Sequence, residues 1–507
     1  MNIGKIIAVV AVSALLATNL HAQTNVGFEN GFSGWQTSGK NISIDNSNAR
    51  NGKSCVKMGP GYAVLSQHVP TVPLAVIQFT GYVKVSDTLT KAYSFVRFFN
   101  AQHKQLLEYK SGALKKITYD QTGNYTLAPP FTAYMEIGIA TDAQNKGNVY
   151  VDDFDIQNNV GAPKVYRAPT CNLDQYMRPF WKGDTVYNET VLLYSAGGKP
   201  AIGKLLYMPS KILSVKKFDL YTTYKSGVDY KVDGNVIERL EGSSMPFKAD
   251  TSFDRKTDLA WYNTQSQWVV VTYIHNDKWS GPIPQYKGNR MPRTIAKLRA
   301  KQPLKIAAYG MSITRGMDVS GYDDVPPYMP TYVSLFTEQL KKDYRYKDIQ
   351  LYNAGLPGSV VDWGAQYADE YISALKPDLV ILDFGMNDFW RYKPDQFKGY
   401  IQTIMQKVKA KCPKVEFILL SNMKFDPDYV LDSDKNKVWY LTNMVGYSHV
   451  LKQLETLGAV NLNMTEISDV IYHKKKAKDC IANPLHPNDY IARWYAQGLT
   501  ALLFDLK

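Results

Sequence analysis

Three rhythms of apolar and polar positions follow one another along the chain. Behind Lys5 an unbroken apolar run extends from Ile6 to Leu16, and Ala22 offers a small residue at a cleavage position. That pattern predicts an export signal over residues 1–22; at about eleven residues its core is too short to span a bilayer. From about residue 23 to 160 short alternating runs such as Val76–Val85, Ala92–Phe99 and Tyr134–Ala140 lie between turn clusters such as Asn46-Ser47-Asn48 and Gly59-Pro60-Gly61, which predicts an all-β sandwich. Gly161, Pro163 and Pro169 mark a linker, and a second β-sandwich domain is predicted over about 170–290. Its clearest signal is Val228–Val232, Asp233-Gly234, Val236-Ile237, a hairpin whose Asp-Gly pair supplies the positive φ of a tight turn; Gln267–His275 reads as another strand.

Near residue 298 the rhythm changes. Short apolar strands, Leu304–Tyr309, Ile349–Asn353, Leu379–Phe384, Val415–Leu420 and Val460–Leu462, alternate with helical spacing: Ala368, Ile372 and Leu375 fall on one face, as do Ile491, Trp494, Tyr495, Gly498 and Leu502. Alternation of this kind predicts a parallel sheet covered by helices on both faces over 298–507. In such folds ligands gather at the carboxyl ends of the strands, so chemistry-bearing residues are expected just after each one.

Composition narrows the partners. Lys plus Arg number 59 against 46 Asp plus Glu, a net charge of +13, yet no basic block of five occurs, which argues against nucleic acid and leaves weakly acidic polymers admissible. The 36 tyrosines suit sugar-facing surfaces, where a ring stacks while its hydroxyl stays wet. Cys55, Cys171, Cys412 and Cys480 are far apart and form no CxxC pair, so neither a zinc site nor a redox motif is expected; an exporting compartment permits disulfides without pairing them. No metal or other cofactor is called for.

Residues of that kind follow the strands. After the first comes Gly310-Met311-Ser312-Ile313-Thr314-Arg315-Gly316, a Ser on a strand-to-helix turn where a nascent negative charge is stabilised. After the second, Gly358 in Asn353-Ala354-Gly355-Leu356-Pro357-Gly358-Ser359 can present a bare N–H. After the third, Asn387 in Gly385-Met386-Asn387-Asp388 can aim an amide at the same oxygen, and His486 in Asn483-Pro484-Leu485-His486-Pro487-Asn488-Asp489, before the last helix, can take the Ser312 proton. Arg315, Trp363 and Trp390 stand beside these blocks as candidates to line a cleft.

Ser312, Gly358, Asn387 and His486 in this order resemble the four blocks of the SGNH (GDSL-like) hydrolases, over about Lys305 to the end of the chain. The resemblance implies a flavodoxin-like three-layer α/β sandwich, Ser312 as nucleophile, His486 as base, and an oxyanion hole from the Ser312 and Gly358 N–H groups with the Asn387 side chain. Two positions depart from the family pattern. Met311 replaces the Asp of its first block, and Asn483 replaces the Asp expected three residues before the His. Three groups remain to orient His486: Asn483 itself, a backbone carbonyl leaving a Ser–His dyad, or Asp479. The opening Gly27-Phe28-Glu29-Asn30-Gly31-Phe32-Ser33-Gly34-Trp35 and the close Gly147–Ile156 resemble the ends of jelly-roll carbohydrate-binding modules, with Asp152, Asp153 and Asp155 as candidates for a structural calcium.

The resemblance implies a periplasmic or extracellular acetylesterase acting on an acetylated polysaccharide through an acyl-Ser312 intermediate. Two readings compete with it: a lipid or small-ester esterase or thioesterase of the same family, and a catalytically weakened glycan-binding protein, which the Asn483 departure motivates.

Overall fold

The computed structural model describes residues 24–87, 89–158, 172–249, 267–427 and 436–505. The export signal, the linker and Cys171 lie outside the described residues. The chain forms two compact units, 1–162 and 163–507.

The first unit packs two five-stranded antiparallel sheets face to face. One has the order Gln36–Gly39, Ala63–Pro70, Tyr134–Thr141, Ala92–Phe99, Gln105–Lys110; the other Ile42–Asp45, Cys55–Met58, Val149–Asn158, Val76–Val85, Asp120–Leu127. Alternation along Val76–Val85 sends Val83 and Val85 inward and leaves Tyr82 and Lys84 at the outer face, the pleat of a strand buried on one side. The motifs at the two ends of this unit meet: Phe28, Trp35, Phe79 and Phe154 form one aromatic cluster, with Phe79 and Phe154 stacked at 5.3 Å. Two of the three acids at the close are engaged within the protein, and Asp155 is exposed. Asp152 is buried and accepts the Arg50 and Asn51 N–H groups, while Asp153 pairs with the Arg50 guanidinium at 2.5 Å. Among the described residues no group of three or more His, Cys, Asp or Glu side chains is arranged to hold a metal ion.

The second unit joins the second β segment to the α/β segment. The β segment has a four-stranded sheet, ordered Thr185–Leu192, Trp268–His275, Pro209–Lys217, Thr223–Tyr224, and a five-stranded one containing the predicted hairpin. That hairpin pairs Asp233 with Val236, so Gly234-Asn235 forms its two-residue turn, with Gly234 at φ +54°, one residue later than the sequence pattern suggests.

The α/β part is a five-stranded parallel sheet of β1 (Leu304–Gly310), β2 (Ile349–Gly355), β3 (Leu379–Asp383), β4 (Glu416–Ser421) and β5 (Ala459–Asn463), in the order β2-β1-β3-β4-β5. All neighbouring pairs are parallel, and this is the doubly wound order of flavodoxin-like folds. Helices α1 (Ser312–Arg315), α2 (Tyr332–Asp343), α3 (Val361–Tyr371), α4 (Pro394–Lys411), α5 (Lys437–Gln453), α6 (Met464–Lys474) and α7 (Asp489–Leu503) connect and cover the strands. The predicted helical face through Ala368, Ile372 and Leu375 is buried, but α3 ends at Tyr371 and a single 3-10 turn carries Leu375, stopped by Lys376 at φ +51° before Pro377.

Helix α7 departs most from the sequence pattern: all fifteen of its residues are buried, where periodicity marks one apolar face. The second β segment covers its other side. Gln497 donates to the Tyr176 and Arg178 carbonyls and accepts the Phe180 N–H, and Arg493 donates to the Tyr187 and Asn188 carbonyls. Burial on every side favours a partner for each polar side chain, and these two find theirs in backbone carbonyls and an N–H. Beside it Lys475 meets Glu189 at 2.5 Å, both fully buried, with Tyr273 and the Leu206 N–H completing the carboxylate.

Candidate active site

The carboxyl ends of β1, β2 and β3 converge where the alternation places them. β1 runs to Gly310, Met311 is extended, and Ser312 opens the single-turn α1, which Gly316 closes at φ +93°. The turn is tightened by the Met311 N–H donating to Thr314 Oγ1, and Thr314 in turn donates to Asp383 at the end of β3. Asp383 is fully buried and also accepts Tyr332 Oη–H at 2.6 Å and an N–H of Asn422. Burial pushes its carboxyl up to about 6 despite those donors. One acid thus ties together the turn after β1, helix α2, β3 and the residue after β4.

Ser312 and His486 are 174 positions apart in sequence, yet the Ser312 hydroxyl lies 2.7 Å from His486 Nε2. His486 is carried by a two-stranded hairpin, Ile481–Asn483 with His486-Pro487, just ahead of α7. Asn488 caps α7 by accepting the Tyr490 and Ile491 N–H groups, which sets where the hairpin enters the helix.

On the other side of the imidazole, Asp318 Oδ2 lies 2.5 Å from His486 Nδ1. With a carboxylate there, the ring proton sits on Nδ1 and Nε2 is left as the acceptor for the Ser312 hydroxyl. Asn483, one of the three orienting groups offered by the sequence, stands at the same ring nitrogen, with its Nδ2 2.8 Å from His486 Nδ1. Its carbonyl oxygen accepts the Leu485 and His486 N–H groups, and its amide donates to that same Asp318 oxygen, so it supports the acid beside the imidazole. Asp479 faces away, accepting the Leu192 N–H of the second β segment at 2.7 Å.

Asp318 escapes sequence reasoning because it comes from the loop after α1, only six residues beyond the Ser. The one local cue is Gly316-Met317-Asp318, a turn after a one-turn helix. Asp318 sits at φ +64°, a left-handed conformation that Asp and Asn tolerate better than other side chains. Two residues on, Ser320 donates its hydroxyl and its backbone N–H to Asp489 on α7 at 2.7 and 2.8 Å, and accepts the Met329 N–H. The loop bearing the acid is thereby pinned to the helix that follows the histidine.

The loops that carry Gly358 and Asn387 adjoin the Ser312 turn through the Ser359 hydroxyl, which donates to the Gly310 carbonyl, and through Met311. Gly358 adopts φ +77°, which a Cβ would strain. Asn387 Nδ2 donates to the Ser359 carbonyl at 2.9 Å and touches Met311 Sδ at 3.8 Å, so it stands between the neighbours of Gly358 and Ser312. Asp388 joins these two loops by accepting the Val361 N–H, at the start of α3, and the Gly385 N–H, both at 2.8 Å. Its burial pushes the carboxyl up to about 7.

The cleft candidates are placed differently from one another. Arg315 is buried, with its guanidinium toward the Asn353 carbonyl. Trp363 is half-buried among Tyr309, Tyr367 and Tyr371, and Trp390 half-buried edge-on to Phe389. Cys55, Cys412 and Cys480 are buried free thiols.

Similarity to known proteins follows the division of the chain. Residues 308–493 match the GDSL-like lipase/acylhydrolase family. Among solved structures, a two-domain esterase active on acetylated mannans is 22% identical, with 44% of this chain and 52% of that chain covered and a TM-score of 0.33. TmCBM61 in complex with β-1,4-galactotriose is 17% identical over 27% of this chain and 96% of its own, at a TM-score of 0.22. A family 16 carbohydrate-binding module is 17% identical over 26% and 97%, at 0.24. No curated protein matches the chain. The match to the GDSL-like lipase/acylhydrolase family thus falls on the segment that holds the β2-β1-β3-β4-β5 parallel sheet and the Ser312 turn at its carboxyl edge.

Proposed function

We propose that this protein is an exported serine esterase that removes acyl groups, acetyl foremost, from a polysaccharide. The observation that carries the reading is the line Asp318–His486–Ser312, with contacts of 2.5 and 2.7 Å. Three side chains at those distances do what ester hydrolysis needs. Ser312 Oγ attacks the ester carbonyl while His486 Nε2 takes its proton, and Asp318 stabilises the resulting imidazolium. The Ser312 and Gly358 N–H groups and the Asn387 amide receive the developing oxyanion. The C–O bond to the sugar then breaks, His486 returns the proton to the departing hydroxyl, and water repeats the sequence to release the acid and free Ser312. Asp318 supports a competent centre, since it offers from another loop the carboxylate that Asn483 lacks.

The polysaccharide part of the reading is supported by the first unit. Its outer face sets Phe99 parallel to Tyr134 at 5.1 Å, with His68 and His103 against the same Tyr134 ring, next to a charged row in which Arg97 bridges Glu108 and Glu136. Aromatic faces beside fixed polar groups suit sugar rings. A module holding the polymer raises the local ester concentration without altering the reaction centre. Export, to the periplasm or beyond, rests on residues 1–22.

The test is acetate release from acetylated mannan, xylan and pectin and from a small chromogenic acetate. The wild type is expected to act on at least one polymer and Ser312→Ala on none. Full activity in Ser312→Ala would remove the proposed nucleophile; release from the chromogenic ester alone would move the reading to a small-ester esterase.

A further inference from the structure

On the four-stranded sheet of the second unit, away from Ser312, lies a cavity of about 390 Å³ whose wall includes Gln175, Tyr187, Asn188, Ser214, Lys216 and Tyr221. That volume lies within the usual size of small-ligand sites. Three breaks in regular backbone converge on it. The strand Thr185–Leu192 shifts register between Val186 and Glu189, with Asn188 at φ +47°. The strand Pro209–Lys217 shifts between Ile212 and Ser214. Leu220, which also lines the cavity, stands at φ +67°, a strained position for a Leu. Bulges re-aim side chains, and here two of them deliver a polar group to the same space.

The wall holds unspent hydrogen-bonding capacity. Among the described residues, the side chains of Gln175, Tyr187, Ser214, Lys216 and Tyr221 have no partner within the protein. Asn188 is held by Thr272, whose hydroxyl donates to the Asn188 carbonyl oxygen and accepts its backbone N–H; that fixes the amide with its NH₂ left for a ligand. Tyr221 is 66% exposed, an aromatic face at the rim. Among the described residues no carboxylate lines the cavity, which disfavours a cation, and the single Lys there gives little hold on a polyanion. Amides and hydroxyls around an exposed ring match the alternating hydroxyl and C–H surfaces of a sugar.

We propose that this cavity binds a short, uncharged stretch of oligosaccharide, and, resting on the esterase reading for its identity, that the stretch belongs to the polymer being deacylated. Tyr176, Asn188 and Leu220 also line a smaller cavity that reaches Met329 and Asp489, the two residues that grip Ser320 beside Asp318. The site and the reaction centre therefore share one compact unit.

The test is calorimetric titration of the full chain carrying Ser312→Ala with short manno-, xylo- and galacto-oligosaccharides, with and without Tyr221→Ala plus Gln175→Ala. Both added changes lie at the rim and leave the Ser312 centre intact, so turnover of a chromogenic acetate by the Ser312 form should stay within about twofold. Loss of one binding site per chain, or a fall in affinity of about tenfold, is the expected result. Unchanged affinity and stoichiometry in the double variant, or no binding by the parent, would overturn the proposal. Loss of the binding site in a protein that hydrolyses no ester would keep this site and discard the esterase reading; acetate release with unchanged binding would do the reverse.

Discussion

Asp318→Asn isolates the charge of the third residue. Asn tolerates the left-handed φ of +64° at this position as Asp does, so the loop keeps its shape. The Asn483 amide, which donates to Asp318 Oδ2, favours an oxygen over an NH₂ in that place. The substituted carbonyl oxygen therefore still accepts the His486 Nδ1 proton and preserves the tautomer, and what disappears is the negative charge beside the imidazolium. Charge centres about 4 Å apart at an effective dielectric of about 20 interact by about 4 kcal/mol, or about three decades in rate. The two side chains keep 11% and 16% of their exposure, so some of this is screened. Turnover of a chromogenic acetate should fall by about 10²–10³ with little change in KM, less than the roughly 10⁴ seen where an Asp-to-Asn change in a serine-protease triad also reverses the tautomer. Thermal unfolding followed by circular dichroism checks that the fold is intact. A folded variant within about threefold of wild type would refute the assignment of Asp318.

Asn483→Ala, which removes the amide beside Asp318 and His486 Nδ1 and the acceptor of the Leu485 and His486 N–H groups, should cost about tenfold or more in turnover, read in the same assay. Asn387→Ala should lower turnover by about 10²–10³ through loss of one oxyanion donor, with KM nearly unchanged in steady-state kinetics. Gly355→Ala would place a Cβ 2.6 Å from the Arg315 backbone nitrogen and 2.8 Å from the Met311 oxygen; the Ser312 turn must then shift, and activity should fall by about 10² or more in protein that still purifies as a folded chain. Asp388 binds its proton more tightly folded than unfolded, because burial raises its carboxyl from 3.8 to about 7. Its stabilising contribution is therefore complete below about pH 4 and is lost as pH rises through about 7; urea midpoints measured from pH 4 to 8 should decline less steeply in Asp388→Asn than in wild type.

Much of the α/β segment was readable from pattern alone. Five short apolar runs spaced by helical stretches can bury both faces of a strand only in a parallel sheet, and parallel connection puts every strand's carboxyl end at one edge. That is why Ser312 and His486, which meet at 2.7 Å, could be placed from chain order: one follows a strand and the other precedes a helix. The first β unit was legible for a related reason, since strict alternation along runs such as Val76–Val85 belongs to a sheet buried on one side.

Other features depend on contacts between segments whose sequences carry no mark of each other. Asp318 sits in a loop with no periodicity, and it reaches His486 only because Asp489 grips Ser320 and Asn483 grips the acid itself. Asp479, nearer to the histidine in sequence, was drawn off by the Leu192 N–H. Arg315 turned inward toward the Asn353 carbonyl, a choice made by packing around a one-turn helix. Helix α7 shows the limit most plainly: periodicity announces the face that meets the sheet, whereas burial of the opposite face required the second β segment, some three hundred residues earlier, to supply carbonyls for Arg493 and Gln497. Local pattern encodes which side of an element avoids water. Which charged group ends up beside which imidazole is settled by the competition among all buried donors and acceptors, and only the assembled fold resolves it.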